Sequence, residues 1–359
     1  MTATTNPHFD ENTEADEVAK AFASGVHGKT ILITGVNLKG IGFAAAAAFA
    51  SQSPARLILS GRNLSKIQEC IDALKKHFPI VDYRPLKLNL SSQKDVRAAA
   101  AELLSWTDVP TIDIVVNNAG IMNLPERTIN EDGIEMTFAT NHIGHFLFTS
   151  LIMPKILTAA ATNAKGATRI VNVSSLSPTW TTMRWSDMNF DTINKNLPQA
   201  EQPSYDMLRT WGTPDPENVA YAPIEAYNQS KVANVLFSIG ANARLYEEYG
   251  ILSLAVHPGV IVTELGRNAS QETRNAIQKM MEGGRFTLKS LGAGAATTLV
   301  AALDPKLGKG EAKNGKRNYG VYLGDCQISE KATEGAESSE EAEKLWARSE
   351  ELVGEKFAW

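Results

Sequence analysis

Short apolar runs recur along this 359-residue chain with segments of helical period between them, and that alternation restricts the fold more than any other feature. The runs are Thr30 to Thr34, Arg56 to Ser60, Tyr83 to Leu88, Asp113 to Asn117, Arg169 to Val173, Leu252 to Val256 and Gly320 to Leu323. Helical spacing falls near Gly42 to Ser51, Leu64 to His77, Gln93 to Trp106, Ile134 to Thr158, Ile224 to Glu248 and Leu288 to Leu303. Strands without an in/out alternation are buried on both faces, which is the pattern of a parallel sheet covered by crossover helices. The expectation is an α/β fold: one doubly wound domain with a seven-stranded parallel sheet, over residues 28–325. With 43% hydrophobic residues the chain has material for a sizeable core.

Three segments stand outside the rhythm. Residues 1–27 are polar and read as a loosely attached extension; no basic stretch leads into an apolar one, so the start does not read as a secretory signal. Residues 176–221 form a long insertion ahead of the helix from Ile224, rich in Pro, Asp and Asn yet carrying Trp180, Trp185, Tyr205, Trp211 and Tyr221. It reads either as an ordered lid at a substrate mouth or as a surface elaboration packed on its own aromatics. Residues 326–359 read as a tail ending in a docked amphipathic helix around Ala342 to Val353.

Composition narrows the partners. A net charge of −5 without a basic cluster offers no track for nucleic acid or anionic lipid. Cys70 and Cys326 lie far apart and in no metal-like spacing, so free thiols and no metal are expected. The apolar windows Ile41 to Ala50 and Phe146 to Leu157 are too short or too interrupted to cross a bilayer. The expectation is a cytoplasmic protein acting on small molecules, as monomer or homodimer.

The first strand runs straight into a glycine-bearing turn and an alanine-rich helix, placing Gly35, Gly40 and Gly42 between strand and helix. Glycines there let the backbone bend and approach a pyrophosphate, whose charge meets the amides of a helix N-terminus. In folds that bind NAD, an acid stands at the end of the second strand, about 20 residues on, and holds the ribose 2′-hydroxyl. Here that strand ends Leu59-Ser60-Gly61-Arg62. A guanidinium matches a 2′-phosphate, so NADP(H) is favoured, with Lys39 as a second cation; the other reading is two solvated surface cations. Farther along, Tyr227 and Lys231 are i and i+4 on one helix face. A phenol that exchanges protons near neutrality needs a fixed positive charge beside it, although such a pair also occurs by chance on surfaces. His142 and His145, i and i+3 with no third ligand in evidence, read as packing residues, and Met280 and Met281 as pocket lining or filler.

These pieces occur in a fixed order. Thr34 to Gly42 is followed by N-N-A-G at Asn117 to Gly120, T-N-H-I-G-H-F at Thr140 to Phe146 and V-N-V-S-S at Val171 to Ser175, then Y-N-Q-S-K at Tyr227 to Lys231 and H-P-G-V-I-V-T at His257 to Thr263. In this the chain resembles the short-chain dehydrogenase/reductase family, over most of residues 28–325. N-H-I-G-H-F, S-K-V-A-N-V-L-F and G-V-Y-L-G-D-C resemble its retinol-dehydrogenase-like branch, and the long insertion resembles fungal members.

The resemblance implies an NADPH-dependent oxidoreductase that reduces a ketone or aldehyde on a hydrophobic small molecule, and reversibly oxidises the alcohol. It implies Tyr227 as general acid and base, Ser175 as hydrogen-bond donor to the substrate oxygen, and Lys231 as ribose anchor and perturber of the tyrosine. Asn141 would bind a water linking Lys231 to solvent, and Ser174 would support the cofactor. Around the cofactor it places Gly35, Asn37, Leu38, Lys39, Gly40, Ile41 and Gly42 at the phosphates, and Arg62 and Asn63 at the adenosine ribose. Asn89 and Leu90 fall at the adenine, Asn118, Ala119 and Gly120 after the fourth strand, and Pro258, Gly259, Val260, Ile261 and Thr263 at the carboxamide and pyrophosphate. Two departures from the family pattern are a glycine loop one residue longer than usual and Asn89 in place of an aspartate. Alternative classes are a cofactor-binding scaffold without turnover and a non-redox cyclase or isomerase using the same pocket.

Overall fold

The computed structural model describes residues 2–359. The chain runs α1 (Ala15–Ala21), β1 (Thr30–Thr34), α2 (Ile41–Ala50), β2 (Arg56–Gly61), α3 (Leu64–His77), β3 (Asp82–Lys87), α4 (Gln93–Ser105) and β4 (Ile114–Asn117). There follow α5 (Met136–Phe138), a π-turn at Ala139–Ile143, α6 (Gly144–Leu151), α7 (Met153–Ala160) and β5 (Thr168–Val173). The second half holds α8 (Tyr205–Thr210), α9 (Pro223–Tyr249), β6 (Ile251–His257), α10 (Gln271–Glu282) and α11 (Leu291–Leu303). Four short strands, β7 (Glu311–Lys313), β8 (Lys316–Tyr319), β9 (Tyr322–Gly324) and β10 (Gln327–Ile328), lead to α12 (Ser339–Val353).

The main sheet has the order β10-β9-β6-β5-β4-β1-β2-β3. From β3 to β9 every pairing is parallel, so the seven expected strands are present, and β10 adds an antiparallel eighth at the edge. The chain reverses direction of winding between β1 and β4, and such a switch point leaves a crevice at the strands' C-terminal ends. β1, β4, β5 and β6 are buried throughout, as their uninterrupted apolar sequences require.

Three segments depart from the sequence reading. The single helix expected over Ile134 to Thr158 carries a π-turn and bends by about 60° before α7. Pro154 stands in the first turn of α7, where its missing N–H costs nothing but where the α6 ladder cannot continue through it. The N-terminal segment is not loose: α1 packs on α2 and α11 with Val18 and Ala19 fully buried, and Thr5 binds the Asp304 carboxylate through its amide and hydroxyl, 2.6 Å each. A β7–β8 hairpin intervenes before β9. The C-terminal helix docks on α9 as expected, with Trp346 against Phe146 and Phe237, and the last residues fold back over it. Among the described residues no single helix is long and apolar enough to cross a membrane.

The insertion at 176–221 is ordered around Arg184. This buried guanidinium binds Asp187 Oδ2 at 2.5 Å and the backbone oxygens of Asp187 and Thr192 at 3.0 and 2.6 Å, and lies 4.6 Å from the Phe190 ring centre. A desolvated ion pair contributes little net stability when intact, but removing one partner strands the other charge. Arg184→Ala should therefore cost about 3 kcal/mol in urea unfolding, with cleavage by chymotrypsin appearing first within residues 184–221.

Candidate active site

Strand β1 ends at the switch point, and the turn after it is shaped by close approach. Gly35 has φ +70°, and a Cβ there would lie 2.6 Å from Ala119 Cα; a Cβ on Gly42 would lie 2.6 Å from Asn118 Nδ2. The amides of Gly35 and Val36 donate to Ser60 O at the end of β2, so the turn is anchored between the two strands. Asn118 Nδ2 donates to Thr34 O at 2.7 Å, so this side chain braces the glycine turn from below.

The Thr34 hydroxyl oxygen accepts the amides of Asn118 and Ala119, 3.0 Å each, and lies 2.8 Å from His145 Nε2. His145 Nδ1 is 3.0 Å from the carbonyl oxygen of Asn141, which can only accept. The proton therefore sits on Nδ1, and Nε2 accepts from Thr34. Burial pulls the His145 pKa down to about 4, keeping the ring neutral as this pattern demands. His142 turns elsewhere, its Nε2 lying 2.8 Å from Ser349 Oγ of α12. The two histidines share no ligand site, and among the described residues no three His, Cys, Asp or Glu side chains cluster as a metal would need.

Asn141 lies in the π-turn, fully buried. Its Oδ1 accepts from Ile121 N at 2.8 Å, and its Nδ2 donates to Ile121 O and Ser230 Oγ at 2.9 Å each. Both amide atoms are thus engaged in holding the strand β4 loop against α9. Gly120 lies where a Cβ would come within 3.4 Å of Asn141 Oδ1 and 3.5 Å of Lys231 Nζ.

Tyr227 and Lys231 sit one turn apart on α9, 8% and 3% exposed, with Lys231 Nζ donating to Val173 O at 2.8 Å and lying 5.5 Å from the Tyr227 ring centre. Burial raises the Tyr227 pKa, and the hydrogen bond with Ser175 works against that. Burial also pulls Lys231 down to about 7. Ser174 Oγ donates to Lys231 O at 2.6 Å, tying β5 to α9, while Tyr322 of β9 donates its hydroxyl to Ser175 O at 2.6 Å.

Two cavities meet here. The smaller, about 160 Å³, is bounded by Gly35, Asn37, Gly40, Ile41 and Gly42, by Asn118, Ala119 and Gly120, and by Pro258, Gly259, Ile261 and Thr263. Ser174, Ser175, Tyr227 and Lys231 close its inner end. The larger, about 800 Å³, is mostly apolar, with Met122, Ile224, Leu265, Ile277, Met280, Met281 and Phe286 among its walls, and it shares Ser175 and Tyr227 with the first. The insertion supplies Trp180, Met207 and Trp211 to this wall.

A family model described as short chain dehydrogenase matches residues 29–186. Oxidoreductase fscI of Fusarium equiseti is 35% identical over 70% of this chain and 94% of its own length. Human retinol dehydrogenase 14 is 31% identical, covering 92% of this chain and 87% of its own. This chain belongs to the short-chain dehydrogenase/reductase family. Within the family its resemblance is to the retinol-dehydrogenase-like branch and to fungal members. The fold agrees with the crystal structure of an uncharacterized protein from Mycobacterium paratuberculosis, with a TM-score of 0.59 and 24% identity over 93% of this chain and 96% of that one.

Of the residues the family pattern selects in this dehydrogenase/reductase, several lie outside the smaller cavity. Val260 lines the larger one. Asn63 caps α3, accepting from Ser65 N at 2.9 Å, and Leu90 is buried in the core beneath Gly144. Asn89 donates to Asp95 Oδ2 at 2.8 Å. Leu38, Lys39 and Arg62 are exposed at the rim, and Arg62 makes no ion pair among the described residues. The sequence reading gave no part to the Thr34 hydroxyl or to Tyr322 and took His145 as a packing residue; the Thr34–Asn118, Thr34–His145 and Tyr322–Ser175 contacts join positions far apart in the chain.

Lys231 titrates lower in the fold than in the unfolded chain, so the unfolded chain binds its proton more readily. Stability should rise as pH climbs from about 7 toward the ordinary lysine range. Lys231→Met, measured by urea unfolding without added dinucleotide, should gain on the order of 1–2 kcal/mol at pH 7 and lose that rise.

Proposed function

We propose that this chain reduces an aldehyde or ketone group on a bulky apolar small molecule, reversibly, with NADPH as reductant and Tyr227 as general acid. The observation that carries this is the position of Ser175, Tyr227 and Lys231 at the junction of a narrow glycine-lined cavity and a wide apolar one. The narrow cavity fits a dinucleotide: Gly35 and Gly42 leave no room for side chains beside the turn, Asn37 Oδ1 is buried there without a partner, and Lys231 presents a buried amino group at its inner end. When bound, that cofactor supplies the hydride.

The residues of the chain handle the proton and the charge. Ser175 donates a hydrogen bond to the carbonyl oxygen, and this bond strengthens as the oxygen becomes an alkoxide. Tyr227 then delivers its phenolic proton to that oxygen. Burial favours the neutral phenol, the form an acid needs, and Lys231 stabilises the tyrosinate left behind. Asn141 acts by position: it ties Ile121, in the loop after β4, to Ser230 of α9, the helix that carries Tyr227 and Lys231. The apolar walls, with Trp180 and Trp211 from the insertion, suit a hydrophobic substrate and exclude water from the transfer.

Arg62 supports NADPH over NADH, because it stands free at the end of β2 where an NAD-binding site would carry an acid. A panel of aldehydes and ketones followed by NADPH absorbance should yield turnover, with kcat/KM for NADPH well above that for NADH. Arg62→Asp should reduce kcat/KM with NADPH by about 10- to 100-fold, the loss of one charge-assisted contact. Conversion of a substrate by the protein without any change in dinucleotide would overturn the reductase reading, and equal use of both dinucleotides would overturn the role of Arg62.

A further inference from the structure

Ser175 does not stand alone in the cavity wall. Its hydroxyl donates to Ser177 Oγ at 2.7 Å and accepts from Ser177 N at 3.0 Å. Ser177 Oγ in turn donates to Asn228 Oδ1 at 2.7 Å, and Asn228 Nδ2 donates to Glu225 Oε2 at 3.0 Å. The other carboxyl oxygen of Glu225 accepts from Thr181 Oγ1 at 2.9 Å. Ser177 and Asn228 are 1% exposed, and Glu225 is 5% exposed. A chain of side chains therefore leads from the serine at the reacting centre, through the first turn of the insertion, to a buried carboxyl two residues before Tyr227 on the same helix.

The donors and acceptors fix its direction. With Glu225 Oε2 accepting, the Asn228 amide must turn its nitrogen to the carboxyl and its oxygen to Ser177. An amide oxygen only accepts, so the Ser177 hydroxyl must spend its proton there. Ser177 then has only lone pairs left for Ser175, whose proton points to it. The pattern needs an acceptor at Oε2, which a carboxylate supplies, as does a neutral acid that carries its proton on Oε1; burial raises the Glu225 pKa and the bonds from Asn228 and Thr181 work against that.

We propose that Ser177, Asn228 and Glu225 are positioning residues for Ser175: they set its rotamer and hold its proton in a weak neutral hydrogen bond until the substrate oxygen takes it. The inference rests on Ser175 being the donor to that oxygen. A serine–serine bond is exchanged for a charge-assisted one only as negative charge grows on the carbonyl, so the arrangement favours the transition state over the bound ground state. A wandering Ser175 would bind substrate as well but meet the developing charge less often. The first turn of the insertion is thus part of the catalytic framework, whatever the remainder of the insertion does as a wall.

The test is a double-mutant cycle on carbonyl reduction, with NADPH affinity followed by fluorescence as a check on the cofactor site. Ser177→Ala and Asn228→Leu should each lower kcat by about 10- to 100-fold, the range for misplacement of a reacting group, with KM and NADPH affinity within a few-fold of the parent. In a Ser175→Ala background, where no hydroxyl remains to position, neither should lower kcat further. Glu225→Leu should behave like Asn228→Leu, while Glu225→Gln should restore activity, because its amide oxygen can accept from Asn228 and its nitrogen can donate to Thr181. Ser177→Ala removes a single buried oxygen, so the cycle can be read even if the larger replacements do not fold. Full additivity with Ser175→Ala, or parental kcat in Ser177→Ala, would overturn the positioning role. A Ser175→Ala protein with parental turnover would instead overturn the reading of Ser175 on which it rests.

Discussion

The hydroxyl of Thr34 holds together more of the site than any other atom. At the end of β1 it accepts the amides of Asn118 and Ala119 and donates to His145, which donates in turn to the Asn141 carbonyl. The ends of two neighbouring parallel strands are thereby tied together at the switch point, and the glycine turn, the loop after β4 and the π-turn are joined in one network. Thr34, His145 and Asn141 are buried, where an unpaired donor or acceptor would cost about 1–3 kcal/mol.

On this frame, α9 carries a phenol and an amine into the interior together. Burial pushes each toward its neutral form, so neither charge is held for its own sake. That is a favourable starting point for an acid whose conjugate base must be stabilised only while the proton is away. The chain from Ser175 to Glu225 follows the same rule, with every polar atom on it satisfied by a neighbour and the reacting serine at its open end.

Much of this was legible in the sequence, for identifiable reasons. Parallel strands buried on both faces have no alternation, and Thr30 to Thr34, Arg56 to Ser60 and Arg169 to Val173 lie within observed strands. Gly35 and Gly42 mark places where another group comes too close for a Cβ, and such glycines are visible in a motif. The π-turn was not legible, since Ile134 to Thr158 keeps helical apolar spacing across it. Nor was the docking of residues 2–27: α1 is short and polar outside, and the face made by Val18 and Ala19 has meaning only against α2 and α11. Asn63 caps a helix, Asn89 contacts Asp95 and the Leu90 side chain lies in the core, placements that the motif alone does not give. Ser177, Asn228 and Glu225 were hidden because a buried network is defined by mutual distances, which no spacing along the chain encodes.

The central claim is that Tyr227 gives its proton to a carbonyl oxygen at the meeting point of the two cavities. The most direct measurement is the single-turnover rate of NADPH consumption by Tyr227→Phe with a carbonyl substrate in saturating amount. The replacement removes one oxygen and leaves the ring to pack, so dinucleotide binding should persist while the rate falls by about 100- to 10,000-fold, the usual worth of a general acid. A Tyr227→Phe protein that binds NADPH and reduces its substrate at the parental rate would contradict the account.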